Sequence, residues 1–333
     1  MSIITNRHDV LFLFDVVNGN PNGDPDAGNL PRIDPTTNKG LVSDVCLKRK
    51  IRNFVIEFPS NTENIGNSEE SNRFNILVKQ GNIINNELDT AIKQSTERLP
   101  KDKNKDKDKA EAAMKWLCRE FYDIRTFGGV LSTGEDVLKG SAYGQVRGPV
   151  QFTFGQSVHA ITPLEISVTR CAVTKPEDEK KERTMGNKHI VPYALYVGKV
   201  FISPAFAEKT GFTEEDLNVF FEALSHMFDQ DQSAARPEMN VRGIFDFEHV
   251  GTQADKNAEQ NKREARLGCC HAYKLFDGVK IDLSEDAKKK GKTYPESFGD
   301  YVIKSEWSDT TLPKGVKLHL RHEGKTIPAN DRK

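Results

Sequence analysis

The strongest constraint on the fold is a run near the N-terminus, HDVLFLFDVV (His8 to Val17), in which the odd and the even positions are both largely apolar. A strand that is apolar on both faces is covered on both sides. This run therefore predicts the central strand of a sheet that lies between two layers. A chain of 333 residues is long enough to bury such a core.

A polar loop and an amphipathic helix follow this strand. The loop, NGNPNGDPDAGN (Asn18 to Asn29), is dense in residues that favour turns or positive φ, and we expect it to be ordered or semi-ordered. Ser43 is placed as the N-cap of a helix over 43–58. Apolar residues at helical spacing form one stripe along this helix. They are Leu47, Ile51, Phe54, Val55 and Phe58.

The order of the predicted elements indicates the fold class. The elements are strand 8–17, helix 43–58, strand 150–158, strand 191–202, helix 213–228 and strand 241–250. This β-α-β-β-α-β order is the ferredoxin-like, or split βαβ, pattern, and it predicts an α+β fold. Two insertions interrupt the pattern, over about 60–148 and about 163–190, and the first contains a helix through 114–121. Further short strands are expected within 271–281 and 301–303.

Composition excludes several classes of protein. The net charge is -1, so a nucleic-acid-binding surface would have to be a local concentration of basic residues. The five cysteines suggest no disulfide framework, which favours a reducing cytoplasm. The cluster Cys269, Cys270 and His271 lacks a second pair at ligand spacing, and we interpret it as buried and structural. We expect no membrane association, because no apolar run reaches the length of a membrane span.

Sequence signatures of catalysis and cofactor binding are missing. The chain has no G-x-x-x-x-G-K-[ST] phosphate loop, no H-E-x-x-H metal motif and no G-x-S-x-G nucleophile motif. The loop that starts at Asn18 only superficially echoes a calcium loop. Its first residue is Asn rather than Asp, and its twelfth is Asn29 rather than Glu. We therefore expect no cofactor, no bound metal and no enzymatic activity.

Two groups of basic residues are candidates for contact with phosphates. Lys48, Arg49 and Arg52 fall on one face of the first predicted helix, away from its apolar stripe. Composition alone fits a phosphate-binding face and an ordinary solvated helix face equally well. Arg125 and Arg147 lie near glycines, which let the main chain approach a ligand closely.

Several long blocks of the sequence resemble the CRISPR-associated backbone subunit of type I-C systems. The resemblance covers most of the chain and is weak around 60–110 and 251–267. The matching blocks are DVVNGNPNGDPDAGNLPRID (Asp15 to Asp34), LVSDVCLKRKIRN (Leu41 to Asn53), FYDIRTFGG (Phe121 to Gly129), GQVRGPVQFTFGQSVH (Gly144 to His159), TMGNKHIVPYALYV (Thr184 to Val197) and DQSAAR (Asp231 to Arg236).

This resemblance implies a RAMP-type protein with an RRM-like palm, helical fingers and a β-hairpin thumb. The implied parts are the first half of the palm at 1–58, the fingers at 59–148, a palm strand at 149–162, the thumb at 163–190, and the second half of the palm with a C-terminal extension at 191–333. The implied function is non-catalytic. The subunit binds CRISPR guide RNA, oligomerises head-to-tail along it, and forms the backbone of a complex that recognises complementary double-stranded DNA. Its implied partners are the guide RNA, the target DNA strand by way of the guide, other copies of itself, and the large, small and guide-capping subunits.

The residue types and the resemblance together indicate an RNA-binding surface. Lys48, Arg49 and Arg52 lie in a block that the family uses against guide phosphates, and the thumb region supplies further candidates. The expected RNA-binding residues are Asn20, Asn22, Arg32, Ser43, Lys48, Arg49, Arg52, Arg125, Gln145, Arg147, Arg170, Arg183, Met185 and Lys188.

Three alternatives compete with this interpretation. Related backbone subunits of type III systems cut RNA with an aspartate in the loop after the first strand, where Asp24, Asp26 and Asp34 lie in this chain. A second enzymatic alternative is guide-RNA maturation, which in type I-C resembles the job of a different RAMP subunit. The third is a stand-alone RNA-binding module, which differs from a backbone subunit in that it does not assemble along RNA according to RNA length.

Overall fold

The structure is a computed structural model that describes residues 2–57, 73–100, 105–133, 137–172, 175–176 and 185–321. The strands are β1 (His8–Gly19), β2 (Gly23–Asp24), β3 (Leu30–Pro31), β4 (Lys39–Val42), β5 (Gly128–Val130), β6 (Gln145–Arg147), β7 (Val150–Phe152), β8 (Gly155–Ala160), β9 (Leu164–Thr169), β10 (Met185–Ile202), β11 (Glu238–His249), β12 (Val279–Leu283), β13 (Tyr301–Ser305) and β14 (Val316–Leu320). The helices are α1 (Asp44–Glu57), α2 (Ile84–Glu97), α3 (Asp106–Glu120), α4 (Tyr122–Phe127), α5 (Pro204–Thr210), α6 (Glu214–His226), α7 (Ala258–Leu267), α8 (Ala272–Asp277) and α9 (Glu285–Lys289). None of the described helices combines the length and the apolar character needed to cross a lipid bilayer.

The fold is a mixed arrangement of helices around a main antiparallel sheet. The strands of this sheet lie in the order β14-β11-β1-β10-β8-β4, and β7 and β9 also pair with β10. Strand β1 is paired on both sides, so that Phe12 lies opposite Gly198 of β10 and Ile244 of β11. The predicted position of the first strand at the centre of the sheet is therefore confirmed.

Both faces of β1 are buried, as its apolar pattern predicts. Phe12 and Phe14 belong to the larger core, which α1 and α6 cover. Leu11 and Leu13 belong to a smaller core on the opposite face, which is covered by α8, β12 and β13. Burial of each such side chain is worth about 1.5–3 kcal/mol, so the two layers together fix β1 in place.

The second core helix, α6, begins at a capping box. Thr213 Oγ1 accepts a hydrogen bond from the backbone N of Asp216 at 3.3 Å, and Asp216 Oδ2 accepts one from the backbone N of Thr213 at 2.8 Å. Leu217, Phe220 and Leu224 then bury one face of the helix. The predicted helix is confirmed, although it ends at His226 rather than at 228.

The segment between α1 and β7 has a core of its own. Leu88 and Ala91 of α2 pack in this core with Leu117 and Cys118 of α3. The helix predicted through 114–121 is α3, which starts earlier, at Asp106. Helix α2 is missing from the sequence-based prediction because Asn, Asp, Glu, Gln, Ser and Thr dominate its sequence.

Three predicted strands differ from the structure. The strand predicted over 150–158 is broken into β7 and β8, because Thr153 bonds through its backbone N and its hydroxyl to the backbone of Lys199. Strand β10 begins at Met185 instead of 191, because its first residues pair with β9 in an antiparallel ladder. The strand expected within 271–281 is helix α8 followed by β12. Phe58 of the predicted α1 stripe lies outside the described residues.

Candidate nucleic-acid interface

The loop after β1 is held in shape by its own amide side chains. Asn18 and Asn29 adopt positive φ values of 49° and 64°, which Asn tolerates better than most residues. Asn20 is buried, and its Nδ2 donates to the carbonyl oxygen of Asn29 at 2.7 Å. A Cβ atom at Gly23 would lie 1.9 Å from Asn29 Oδ1, so any larger residue would displace that side chain. The loop therefore has one defined conformation.

Asn22 ties this loop to the N-terminus of α1. Its Oδ1 accepts hydrogen bonds from the backbone N and from Oγ of Ser43, both at 2.9 Å. Ser43 Oγ also accepts a hydrogen bond from the backbone N of Cys46 at 3.3 Å, which confirms Ser43 as the N-cap. Asn20 and Ser43 are buried, so their expected RNA contacts are corrected to a role in shaping the loop, whereas Asn22 is only partly buried and its expected RNA contact stays a prediction.

Asp34 closes a turn rather than facing an acid–base partner. Its carboxylate accepts hydrogen bonds from the backbone N of Thr36 at 2.9 Å and from Oγ1 of Thr37 at 2.8 Å. These bonds lower the pKa of Asp34 below the ordinary value for aspartate. A general base works best with a pKa near the operating pH, so this environment does not favour such a role. Within the described parts of the chain, no group of three or more His, Cys, Asp or Glu side chains could hold a metal ion.

Lys48 and Arg49 lie on α1 and differ in solvent exposure and in ion pairing. Arg49 is exposed to solvent. Lys48 Nζ pairs with Asp44 Oδ2 one turn earlier, at 2.9 Å, and lies 5.9 Å from the ring centroid of Phe127. The nearby carboxylate offsets much of the Lys48 charge. Arg49 is therefore the stronger candidate for a phosphate contact on this helix.

Arg52 is partly buried and takes part in a polar junction with Asp123. Its Nε donates to Asp123 Oδ2 at 2.9 Å, and its guanidinium lies 5.3 Å from the ring centroid of Phe127. Asp123 is fully buried and also accepts hydrogen bonds from the backbone N atoms of Leu77 and Val78, at 2.9 and 3.0 Å. This ion pair joins α1 to α4 and to the segment before α2, and the phosphate contact expected of the partly buried Arg52 stays a prediction.

Arg125 is also structural, since only 1% of the residue is exposed. Its Nε and Nη2 donate to the two carboxylate oxygens of Asp216 at 3.0 and 2.7 Å. Its Nη1 donates to the carbonyls of Cys118 and Arg119 at the end of α3, and Nη2 donates to the carbonyl of Arg73. All the N–H groups of the guanidinium are thus satisfied internally, and the expected RNA contact is corrected.

The glycines near Arg125 and Arg147 allow two paired strands to approach closely. Gly128 has a φ of 76°, and a Cβ atom there would lie 2.1 Å from the carbonyl oxygen of Val146. A Cβ atom at Gly148 would lie 2.3 Å from the carbonyl carbon of Phe127. The expectation that these glycines admit a ligand is corrected, because what they admit is the close approach of β5 and β6.

Gln145 and Arg147 stay exposed on β6. The Arg147 guanidinium lies 4.5 Å from the ring centroid of Phe206, and Lys209 Nζ lies 5.7 Å from the same centroid. Stacking on the ring orients the guanidinium and still leaves the residue accessible to an anion. Phe206 was not expected at this surface, because no local pattern in the sequence places α5 beside β6.

The β9–β10 hairpin exposes a row of apolar side chains. Leu164, Ile166 and Val168 alternate along β9 and are 47%, 41% and 47% exposed. Met185, at the start of β10, is 67% exposed and pairs with Thr169. Because alternate residues of a strand share one face, the three β9 residues form a continuous apolar row on one face of the hairpin.

Basic residues lie on this hairpin and beside it. Arg170 follows β9 and is exposed, and Lys188 is half-buried on β10, opposite Ile166. Arg32 lies in the loop after β1, where its Nη2 is 3.4 Å from Asp24 Oδ1. Backbone pairing between β1 and β10 continues to Gly19 and Val191, so the hairpin begins beside that loop. Arg183 lies outside the described residues.

Comparison with known proteins identifies the family. A family model described as CRISPR-associated protein Cas7 matches residues 6–306. A CRISPR-associated protein Cas7 from Haloferax volcanii is 26% identical over 224 residues, and the match covers 64% of this chain and 61% of that relative. The chain thus spans less than two thirds of the length of that relative.

Two solved structures are also similar to this chain. One, described as a CRISPR RNA-guided surveillance complex, pre-nicking, matches with a TM-score of 0.43 and 14% identity over 72% of this chain and 78% of the other. A second, described as a CRISPR RNA-guided surveillance complex, matches with a TM-score of 0.42 and 13% identity over 89% and 87% of the two chains. Because the family model spans most of the sequence, the chain belongs to the CRISPR-associated Cas7 family.

Proposed function

We propose that this protein is a non-catalytic guide-RNA-binding subunit that repeats along the RNA as the backbone of a type I-C surveillance complex. The observation that carries the proposal is the β9–β10 hairpin with its exposed apolar row, Leu164, Ile166 and Val168. A two-stranded hairpin is marginally stable alone in water, and an exposed apolar face is typical of a surface that packs on another molecule. Membership of the family favours a neighbouring copy and the RNA beneath it as that partner.

In this proposal the guide RNA lies across the end of the main sheet where the loop after β1, α1 and the hairpin meet. Arg49, Arg170 and Lys188 supply charge there, and Arg147 supplies an oriented guanidinium on β6. Base pairing, rather than side chains, would read the sequence, so one basic surface is enough on a chain whose net charge is -1.

The parts of the fold support the expected division of labour. The order β11-β1-β10-β8, with α1 and α6 on one face, supports an RRM-like palm, which we assign to 1–58, 149–162 and 191–333. The separate core of α2 and α3 supports helical fingers at 59–148. The β9–β10 pairing supports a thumb at 163–190. The smaller core packs C-terminal elements, α8, β12 and β13, against the other face of this sheet.

The proposed partners follow from a head-to-tail arrangement. They are the guide RNA, the complementary strand of double-stranded target DNA by way of the guide, other copies of this chain, and the large, small and guide-capping subunits. A hairpin that packs on a different surface of the next copy makes a heterologous contact, and such contacts generate open helical filaments.

The alternatives have less support in the structure. An endoribonuclease that uses Asp34 would need this carboxylate to accept a proton from the attacking hydroxyl or to hold a metal, whereas it is bonded within its own turn. A stand-alone RNA-binding module would leave the apolar row of the hairpin without a partner.

Assembly on RNA tests the proposal. An Ile166→Ser/Val168→Ser variant interrupts the apolar row, and Ser167→Ala changes the opposite face of the same strand as a matched control. We expect all three proteins to have the same unfolding midpoint, because these side chains are exposed. Sedimentation on a guide-length RNA should give large particles for the wild type and the control, and only small ones for the double variant. Large particles from the double variant would refute the role of the hairpin.

A further inference from the structure

A cleft of about 490 Å³ lies on the face of the main sheet opposite to α1. Its floor contains Val158, Val197 and Val279, which belong to or pack against the smaller core. Helix α1 packs against the larger core on the other face, so this cleft is separate from the surface proposed for the guide. The side chains that give it its chemistry are Lys39, Phe154, Gln156, Lys199, Lys280 and the single acid Asp277.

The cleft is positively charged. Lys39, Lys199 and Lys280 come from β4, β10 and β12, which are far apart in the sequence, and they converge on one opening. Among the residues that the structure describes, Asp277 is the one acidic residue that lines it. An open cleft whose charged lining consists of three lysines and one aspartate favours an anionic ligand.

Two phenylalanines give the cleft flat apolar surfaces. Phe154 lies at the break between β7 and β8 and is 53% exposed. The break is fixed by hydrogen bonds between Thr153 and Lys199, so Phe154 is presented from a defined backbone position. Phe276 forms part of the wall, and Lys199 Nζ lies 5.3 Å from its ring centroid. This contact orients the Lys199 ammonium without neutralising its charge.

We propose that this cleft binds single-stranded nucleic acid, with phosphates on Lys39, Lys199 and Lys280 and one base stacked on Phe154. Lysines that follow a phosphate backbone beside an exposed aromatic ring are the combination that sequence-independent single-strand binding uses. The open shape lets a strand pass through, and the exposed amide of Gln156 can bond to a base or sugar edge. The inference rests on the proposed function only in that the chain works on nucleic acid. The strand bound here is a second one, additional to the guide.

Paired substitutions can test this site without disturbing the core. Phe154→Ala/Lys280→Gln removes one exposed aromatic side chain and one exposed lysine from the cleft. Tyr273→Ala/Lys274→Gln is the matched control, because both residues are exposed on α8 and neither lines the cleft. The protein is first saturated with a guide-length RNA. The probe is then a fluorescein-labelled oligouridine of about eight nucleotides, within the range that one such groove covers.

We expect the cleft variant to bind the probe about fivefold more weakly or worse, which corresponds to the loss of one stacked base. The salt dependence of probe binding should also fall by about 0.7 in its logarithmic slope for the lost lysine. The control variant should bind the probe like the wild type. Arg49→Gln, which changes the proposed guide surface, should alter the binding of the guide and leave that of the probe unchanged.

Three results would overturn the inference. They are equal probe binding by the cleft variant and the control, loss of probe binding in Arg49→Gln alone, and no probe binding by the guide-loaded wild type. None of these results depends on whether the protein assembles along its guide. A failure of this inference is therefore distinguishable from a failure of the proposed function, which would appear as loss of assembly.

Discussion

Replacement of Arg125 by methionine tests whether this residue holds the fold together or contacts RNA. The substitution removes the guanidinium that bridges Asp216 to the carbonyls of Cys118 and Arg119. Asp216 stays buried, and Arg73 becomes its remaining ion-pair partner. The variant thus leaves a partly compensated buried carboxylate and two carbonyls at the end of α3 without their donor.

The size of the effect follows from this geometry. Removing one partner of a buried ion pair costs about 3–5 kcal/mol, because the other charge is left without its partner. Arg73 still pairs with Asp216, so we expect the lower end, about 3 kcal/mol at pH 7. Urea unfolding of the wild type and of Arg125→Met measures this difference. Arg147→Met is the control, and it should change the stability little because Arg147 is exposed.

The pH dependence of the difference identifies the cause. Burial alone would raise the pKa of Asp216, but the charge and hydrogen bonds of Arg125, followed by the charge of Arg73, outweigh it and hold the pKa below the ordinary value. In the wild type this carboxylate therefore stabilises the fold above its unfolded pKa of about 4, and the contribution is lost as the pH falls through the folded pKa. In Arg125→Met the pKa of Asp216 rises. The difference between the proteins should be full at pH 7, should begin to shrink as the pH falls through the raised pKa of Asp216 in the variant, and should be lost below the lowered pKa of Asp216 in the wild type.

The same variant gives a clear outcome for RNA binding. If Arg125 is structural, folded Arg125→Met should bind RNA with an unchanged salt slope. A loss of stability below about 1 kcal/mol, combined with a salt slope reduced by about 0.7, would show that Arg125 contacts a phosphate and would refute this account.

Three further predictions follow from the site and the fold. Arg49→Gln should weaken the binding of every RNA sequence alike and lower the salt slope by about 0.7, as measured by filter binding, whereas Arg119→Gln, an exposed arginine on α3, should not. Gly128→Ala should destabilise the protein by more than the ~1 kcal/mol typical of an alanine at positive φ, because its Cβ atom would clash with the backbone. Gly28→Ala is the control: Gly28 also has a positive φ but open space around it, so this change should cost less stability in the same thermal unfolding assay. Guide-loaded protein with magnesium should leave complementary RNA intact on a denaturing gel, and cleavage that Asp34→Ala abolishes would contradict the non-catalytic assignment.

Much of the main sheet could be predicted from the sequence because its signals are local. The apolar faces of β1, the helical stripe of α1 and the capping box of α6 each lie within a few turns or one strand of chain. Helix α2 could not be predicted because few of its side chains are buried, so its apolar pattern is weak. The helix that it packs against, α3, comes later in the chain. The length of β10 could not be predicted for a similar reason. Its first residues are mostly polar, and they form a strand because they pair with β9.

The candidate site was less predictable than the fold. Composition does not distinguish an arginine that faces solvent from one that a distant carboxylate holds in the core. Arg52 and Arg125 are paired with Asp123 and Asp216, which lie far along the chain, whereas Arg49 is exposed. Only the tertiary structure brings such partners together.

The central claim is that copies of this chain assemble in sequence along one RNA, and native mass spectrometry on guide RNAs of increasing length tests it most directly. The account predicts that the number of protein copies per RNA rises in equal steps as the RNA lengthens, and that Ile166→Ser/Val168→Ser abolishes this ordered increase. A single copy on every RNA, whatever its length, would contradict the account and favour a stand-alone RNA-binding module.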